Sequence, residues 1–254
     1  MFGLRVLGGP MVLESEGRPV RLRPMERVVM LALLCAKGHK QTAVKVAGQL
    51  YADRQQYSAV RTLTSHVAHI RDGLRAVAGD DRLLVSDRMI GGGVTYGLDL
   101  AAAHVDVLQF EQRAATGRRM FEQGLKEQAS AVLGDALGLW QGAPLLDAAD
   151  WPFARTEISR LENLHRAAII TWTEALGAAG RHDETIGELT AMAAARPADA
   201  TMWELLAISL CRCHRDAEAA AVCKEAITVF WQLGLNTDRL TKLQEEVLNG
   251  SLPR

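Results

Sequence analysis

Between residues 58 and 74, apolar side chains recur three or four positions apart at Leu63, Val67, Ile70 and Leu74, with no proline between them. That spacing is the period of an α-helix with one buried face, and Ser58 is placed to cap its N-terminus. At about 100° per residue the opposite face is then fixed. Arg61, Ser65, Ala68, His69 and Asp72 point away from the stripe, with Thr62, Thr64, Arg71 and Arg75 on its flanks. Two apolar helices precede this one, Met25 to Ala36 and Thr42 to Tyr51. Two short strands around a Gly-rich turn follow it, from Arg82 to Leu98.

The first of these helices carries Val28, Val29, Leu31, Leu33 and Leu34, with Pro24 in its first turn and Gly38 ending it. The second turns Val44, Val46, Ala47 and Leu50 inward. Ahead of both, Phe2 to Leu7, Pro10 to Glu14 and Arg18 to Leu22 read as short strands joined by Gly-Gly-Pro and Glu-Gly turns, a small antiparallel sheet. Helix, helix, helix, hairpin is the order of a winged helix-turn-helix. The outer face of the third helix suits that reading, because small side chains beside hydroxyls, imidazoles and guanidinium groups let a helix enter a DNA major groove and hydrogen-bond there. Arg88 on the hairpin is the wing candidate, while Arg18, Arg21 and Arg23 read as solvated.

After Ala103 the pattern changes. Polar turns at Gly124 to Gln128, Gly180 to Glu184 and His214 to Glu218 separate apolar helical runs, the last two turns about 34 residues apart. A unit of helix, turn, helix at that period is the tetratricopeptide (TPR) signature. Ala129, Leu133, Ala136 and Leu137 in one unit, and Ala219, Val222, Ala226 and Val229 in another, supply the packing stripes. Gln141 to Phe153 is an insertion between repeats, read as plugging the gap between them with Trp151, and Thr237 to Leu248 is a capping helix. The predicted fold is therefore mainly α with a small β component, an N-terminal winged helix-turn-helix in residues 1–103 followed by an all-helical TPR-like repeat domain in 104–254.

With 254 residues and 48% apolar content the chain can fill two moderate cores. The net charge of -1 hides an asymmetry: residues 1–103 hold 14 Lys and Arg against 9 Asp and Glu, residues 104–254 hold 15 against 21. A basic half joined to an acidic one fits a nucleic-acid-binding part and a part that avoids DNA. No stretch of 18 apolar residues is present, and Gly8-Gly9-Pro10 stands where a signal peptide needs an apolar core, so a soluble, cytoplasmic protein is expected.

Three features invite chemistry. Cys211-Arg-Cys213-His214 with Cys223 has metal-ligand residue types, but on one helix Cys213 is turned well away from Cys211, so buried structural thiols are the preferred reading. Gly91-Gly-Gly93 lacks the following Lys-Ser/Thr and helix of a phosphate cradle and reads as a hairpin tip. Ser, His and Asp residues show no nucleophile elbow or paired acids. No catalytic residue, cofactor or metal is expected, and the chain is not read as an enzyme.

Phe2-Gly-Leu-Arg-Val-Leu-Gly-Gly-Pro10, the Gly17-Arg-Pro-Val turn, Leu31-Ala-Leu-Leu, Arg61-Thr-Leu and Gly134-Asp-Ala-Leu-Gly-Leu-Trp-Gln-Gly-Ala-Pro144 together resemble the SARP family, the Streptomyces antibiotic regulatory proteins, over essentially the whole chain. The resemblance implies an OmpR-type winged helix and a bacterial transcriptional activation domain. It implies an activator of secondary-metabolite genes that binds direct repeats near promoters, two copies side by side, and recruits RNA polymerase holoenzyme, with no membrane partner. On that reading Arg61, Thr62, Thr64, Ser65, His66, His69, Arg71, Arg75 and Arg88 contact DNA. The chain departs from the family where His66-Val-Ala-His-Ile-Arg-Asp72 replaces the usual Tyr-Val-Ser-Arg-Leu-Arg-Arg, and where Gly91 to Tyr96 replaces a Pro-Pro-Gly-Tyr wing. Those departures motivate the alternative of a protein-interaction module or ligand sensor with weakened DNA binding.

Overall fold

The computed structural model describes residues 1–90 and 92–252. Gly91, part of the predicted hairpin tip, lies outside the described residues. The contacts divide the chain into two compact units, Met1–Gln112 with Gly138–Leu164, and Arg113–Leu137 with the residues from His165 onward.

In the first unit, β1 (Phe2–Arg5), β2 (Val12–Ser15) and β3 (Arg18–Pro19) form antiparallel pairs. Next come α1 (Pro24–Leu34), β4 (Lys40–Thr42), α2 (Ala43–Leu50), α3 (Gln56–Ala78), β5 (Leu84–Met89) and β6 (Gly93–Leu98). β7 (Ala103–Val105) returns beside β1 in parallel, giving the order β3-β2-β1-β7, while β4-β6-β5 make a second, three-stranded sheet. The expected all-antiparallel sheet is corrected by β7. The strand is only three residues long, with no alternation to betray it, and its partner lies about a hundred residues away.

α1 is apolar all round from Val28 to Leu34 and buried throughout that run, as a helix must be when it is covered on every side. Its start is set by Pro24 and by the Glu26 carboxylate, which accepts from the Arg23 backbone N–H at 2.7 Å. Thr42 caps α2 by accepting from the Lys45 N–H at 3.3 Å. That start places Ala43, Val46, Ala47 and Leu50 inside and leaves Val44 exposed, against expectation. α3 begins two residues before Ser58. Its N-cap is Gln55, and Ser58 is an exposed first-turn residue whose carbonyl accepts from Thr62 Oγ1 at 3.0 Å. Ala59, Leu63, Val67, Ile70 and Leu74 are buried as one stripe, and Gly79 ends the helix with φ 77°.

The stretch from residue 138 to 164 does not plug a gap between repeats. It belongs to the first unit. The N–H groups of Gln141 and Leu145 donate to the carbonyls of Leu7 (2.7 Å) and Val6 (2.8 Å), extending the chain beyond β1. Asp147 accepts from the Met11 N–H at 2.6 Å and pairs with Arg27 at 2.8 Å. Leu145 and Ala148 are buried, and the ring of Trp140 meets Phe110 edge-on at 5.1 Å. A side chain at residue 8 would bar this approach, since a Cβ on Gly8 would stand 2.6 Å from the Gln141 carbonyl carbon. Asp106 completes the closure by accepting from the N–H groups of Val6 (2.7 Å) and Leu7 (2.9 Å). The expected boundary after residue 103 thus falls inside β7, and the first unit draws on residues well beyond it.

The remaining helices are α4 (Asp106–Glu122), α5 (Lys126–Leu137), α6 (Pro152–Ala178), α7 (Ile186–Ala195), α8 (Ala200–Arg212), α9 (Asp216–Gln232) and α10 (Asp238–Leu248). In the second unit the predicted period is visible atom by atom. Arg181 N–H donates to the Leu176 carbonyl at 3.0 Å and Arg215 N–H to Leu210 at 2.9 Å, the six-residue closing bond of a helix end. Each arginine then grips the glutamate three residues on, Arg181 with Glu184 and Arg215 with Glu218, both at 2.7 Å. The left-handed residue of the turn is Gly180 in one unit and His214, at φ 58°, in the next. Ala129, Leu133, Ala136 and Leu137 are buried as predicted, but in α9 the deep positions are Ala219, Cys223, Ala226 and Phe230, and Val222 and Val229 are half-buried. Phe230 is the larger side chain and takes the inner position, rotating the stripe by one residue.

Candidate nucleic-acid interface

Burial of the Leu63 stripe leaves Arg61, Thr64, Ser65, Ala68, His69 and Asp72 exposed along the other side of α3. The hydroxyls nearest the backbone are already used: Thr64 Oγ1 donates to the Val60 carbonyl at 2.9 Å, and Thr62 Oγ1 accepts from Arg54 at 3.3 Å while donating to Ser58. Their remaining acceptor capacity and the Ser65 hydroxyl stay accessible. Arg61 has no ion pair among the described residues.

His66 is half-buried and stacks on Tyr51, ring centroids 6.4 Å apart and planes within 11°, and Arg54 lies over the other partner's ring at 5.3 Å from the Tyr51 centroid. Burial lowers the His66 pKa, partly opposed by the nearby Glu26 carboxylate. A neutral, stacked imidazole orients its neighbours more readily than it attracts phosphate. His69 is more open, with Nδ1 3.5 Å from Glu26 Oε1.

Arg71 and Arg75 are both engaged within the chain. Arg71 donates to Ser86 Oγ at 2.8 Å and to the Leu84 carbonyl at 3.3 Å, and stands 3.5 Å from Asp81. Arg75 donates to the same Asp81 carboxylate at 2.7 Å and lies 3.6 Å from Asp72. Both guanidinium groups therefore tie α3 to the root of β5, work that helix geometry alone does not reveal. Asp72 is partly neutralised by Arg75.

On the hairpin, Arg88 pairs in register with Val94 and is exposed. Beside it Met89 and Ile90 are exposed large apolar residues, Ile90 completely so, and Tyr57 in the first turn of α3 is 83% exposed. These three were not singled out from the sequence. Isolated apolar residues at a turn and at a helix start carry no periodic signal.

The four cysteines form no disulfide among the described residues, and burial raises the thiol of Cys35 to about 12 and that of Cys223 to about 11. Protonated, enclosed thiols of this kind act as small apolar side chains. Among the described residues no helix is long and apolar enough to cross a membrane.

Residues 105–248 match the model of the family described as the bacterial transcriptional activator domain. The chain belongs to that family. Regulatory protein DnrI of Streptomyces peucetius is 29% identical over 248 residues, covering 94% of this chain and 90% of its own length. Regulatory protein AfsR of Streptomyces griseus is 26% identical and that of Streptomyces coelicolor 29%, each covering 89% of this chain, which spans only 22% of their length. The solved structure of Mycobacterium tuberculosis EmbR in complex with a low-affinity phosphopeptide superimposes with a TM-score of 0.78 at 24% identity, covering 98% of this chain and 65% of that one. That likeness establishes the fold, a winged helix-turn-helix with a helical activator domain. Family and relatives together make this a SARP-family transcriptional regulator.

Proposed function

We propose that this family member binds double-stranded promoter DNA through the outer face of α3 and the β5–β6 wing. Residues 1–103 are read as the DNA-binding part and 104–254 as the part that activates transcription through RNA polymerase holoenzyme. The observation that carries the DNA reading is the division of α3 itself: one face is buried without exception, while the other presents Arg61, Thr64, Ser65 and His69 to solvent. Ser65 and His69 are assigned to base edges, and Arg61 and Arg88 to phosphate, with Thr62, Thr64 and His66 as supporting contacts. Exposed Met89 and Ile90 suit the wall of the adjacent minor groove. The targets are direct repeats at promoters of secondary-metabolite, including antibiotic, genes, occupied by two copies side by side in the cytoplasm, and the chain acts without enzymatic chemistry.

A gel shift on direct-repeat promoter DNA at two salt concentrations tests this, because neutralised phosphates impose a steep salt dependence. Cognate binding that weakens as salt rises is the expected result. Absence of binding at low salt overturns it.

The internal engagement of Arg71 and Arg75 favours one second reading. With two cations spent on the wing, fewer helix charges remain for phosphate, as in a protein-interaction module whose winged helix binds DNA weakly. Cognate affinity no better than that for random DNA at every salt concentration would support it.

A further inference from the structure

Glu26, in the first turn of α1, is 3% exposed, yet it carries a carboxylate oxygen sealed from solvent. Oε2 is occupied by the Arg23 N–H at 2.7 Å, whereas Oε1 has no hydrogen-bond partner among the described residues. The Nδ1 of His66 is in the same condition, buried and without a hydrogen-bond partner among those residues. A carboxylate oxygen and an imidazole nitrogen left unmatched in one place are costly, because each has surrendered its water. His69 lies one helical turn from His66, and its Nδ1 is 3.5 Å from Glu26 Oε1. One ligand atom from each of the three residues lies within 4.8 Å of the others, and theirs is the only such group of His, Cys, Asp and Glu among the described residues.

We propose that Glu26, His66 and His69 form a binding site for a divalent transition-metal ion of the zinc class. Two imidazoles and one carboxylate are a donor set suited to such ions. Bonds of about 2.0–2.2 Å to a tetrahedral ion bring ligand atoms to roughly 3.3 Å from one another. His69 Nδ1 already stands 3.5 Å from Glu26 Oε1, and side-chain rotation, for which the 46% exposed His69 has room, is what the remaining closure of the cluster requires. The stack on Tyr51 already fixes the His66 ring, and the bond to Arg23 N–H fixes the carboxylate. Orientation of ligands by such outer partners is what tunes a metal site. The fourth position remains for water. Arg23 Nε, 3.9 Å from Glu26 Oε1 and on a 73% exposed side chain, is the competing cation and can swing into solvent when the metal enters. The bound ion would fasten the outer face of α3 to the start of α1 and withdraw His69 from any other contact.

The test is titration of the chelator-treated full chain with cobalt(II), followed by displacement with zinc. The expected result is one equivalent of cobalt giving a visible d–d band without thiolate-to-cobalt charge transfer, and a melting temperature that rises with zinc. His69→Ala, at an exposed position, should weaken binding at least tenfold. Glu26→Gln, which keeps an oxygen for the Arg23 N–H, should do the same while leaving the metal-free melting curve close to wild type. No band, a band with thiolate charge transfer, or equal binding by wild type and both variants overturns the proposal.

Discussion

Asp147→Ala is the sharpest probe of how the first unit is closed. The carboxylate holds two groups from distant parts of the chain, the Met11 N–H at 2.6 Å and the Arg27 guanidinium at 2.8 Å. Its side chain is 10% exposed and that of Arg27 24%, so solvent compensates for neither loss fully. A hydrogen bond to a charged group contributes about 1.5–3 kcal/mol, and removal of one partner of an enclosed ion pair costs about 3–5 kcal/mol when nothing replaces it. Arg27 keeps its bond to the Leu22 carbonyl at 3.1 Å and can turn outward, which places the expected loss nearer about 2–4 kcal/mol. At about 2–4 °C per kcal/mol for a chain of this size, the transition involving this unit should fall by roughly 4–16 °C. Urea unfolding of the full chain by tryptophan fluorescence would give the free energy directly, and Arg27→Ala with the double variant would give the coupling. A loss below about 0.5 kcal/mol, with additive single effects, would refute the claim that residues 138–164 lock the sheet. By the same logic a fragment of residues 1–103 should melt well below one ending at residue 164, since it lacks Asp106, Asp147 and most of β7.

Three further expectations concern single residues. Burial pushes the His165 imidazole down to about 4, so between that value and its ordinary 6.5 the unfolded chain binds the extra proton; stability should drop on acidification through this window by up to about 3 kcal/mol, and His165→Leu should flatten a plot of urea midpoint against pH. Arg61→Ala should lower the salt slope of DNA binding by roughly one while leaving the melting curve alone, whereas Arg71→Ala should loosen the hairpin and lower the melting temperature with little change in slope; reversal of that pattern in paired gel shifts and melts would sink the assignment. His214→Gly should raise stability by about 1 kcal/mol, because a left-handed residue at a helix end is strained with any Cβ, and an unchanged or lower denaturation midpoint would count against it.

Local patterns proved readable and distant pairings did not. The stripe from Leu63 to Leu74, the hairpin after α3 and the period of about 34 residues repeat signals that recur within a few turns, so each residue announces its neighbours. The details that failed are decided from elsewhere. The apolar pattern points Val44 inward because α2 can be rotated by one residue without spoiling its amphipathicity, and the Thr42 cap settles the rotation. β7 and the docking of residues 141–148 depend on backbone edges offered by β1 and the residues after it, and no spacing along the chain encodes them. Of the candidate DNA face, the direction of each α3 residue was legible, but its employment was not. Arg71 and Arg75 sit where the helical wheel puts them, yet Asp81 and Ser86 claim them. Likewise the two histidines invited a reading as DNA contacts only, because Glu26 reaches them from another helix.

The first unit is built from two separated lengths of chain, with residues 113–137 lying between them in sequence. During synthesis the ribosome therefore delivers the winged helix before the segment that seals its sheet. At about 5–20 residues per second, Asp147 follows the last residue of β6 by roughly 2–10 s. Throughout that interval the N–H of Met11 and the carbonyls of Val6 and Leu7 lack their final partners, leaving a short backbone edge open to a neighbouring nascent chain. On a polysome, where many copies emerge close together, the dangerous period is set by translation speed. Slowing elongation between codons 98 and 147 should lower the soluble yield without altering a single residue of the finished protein.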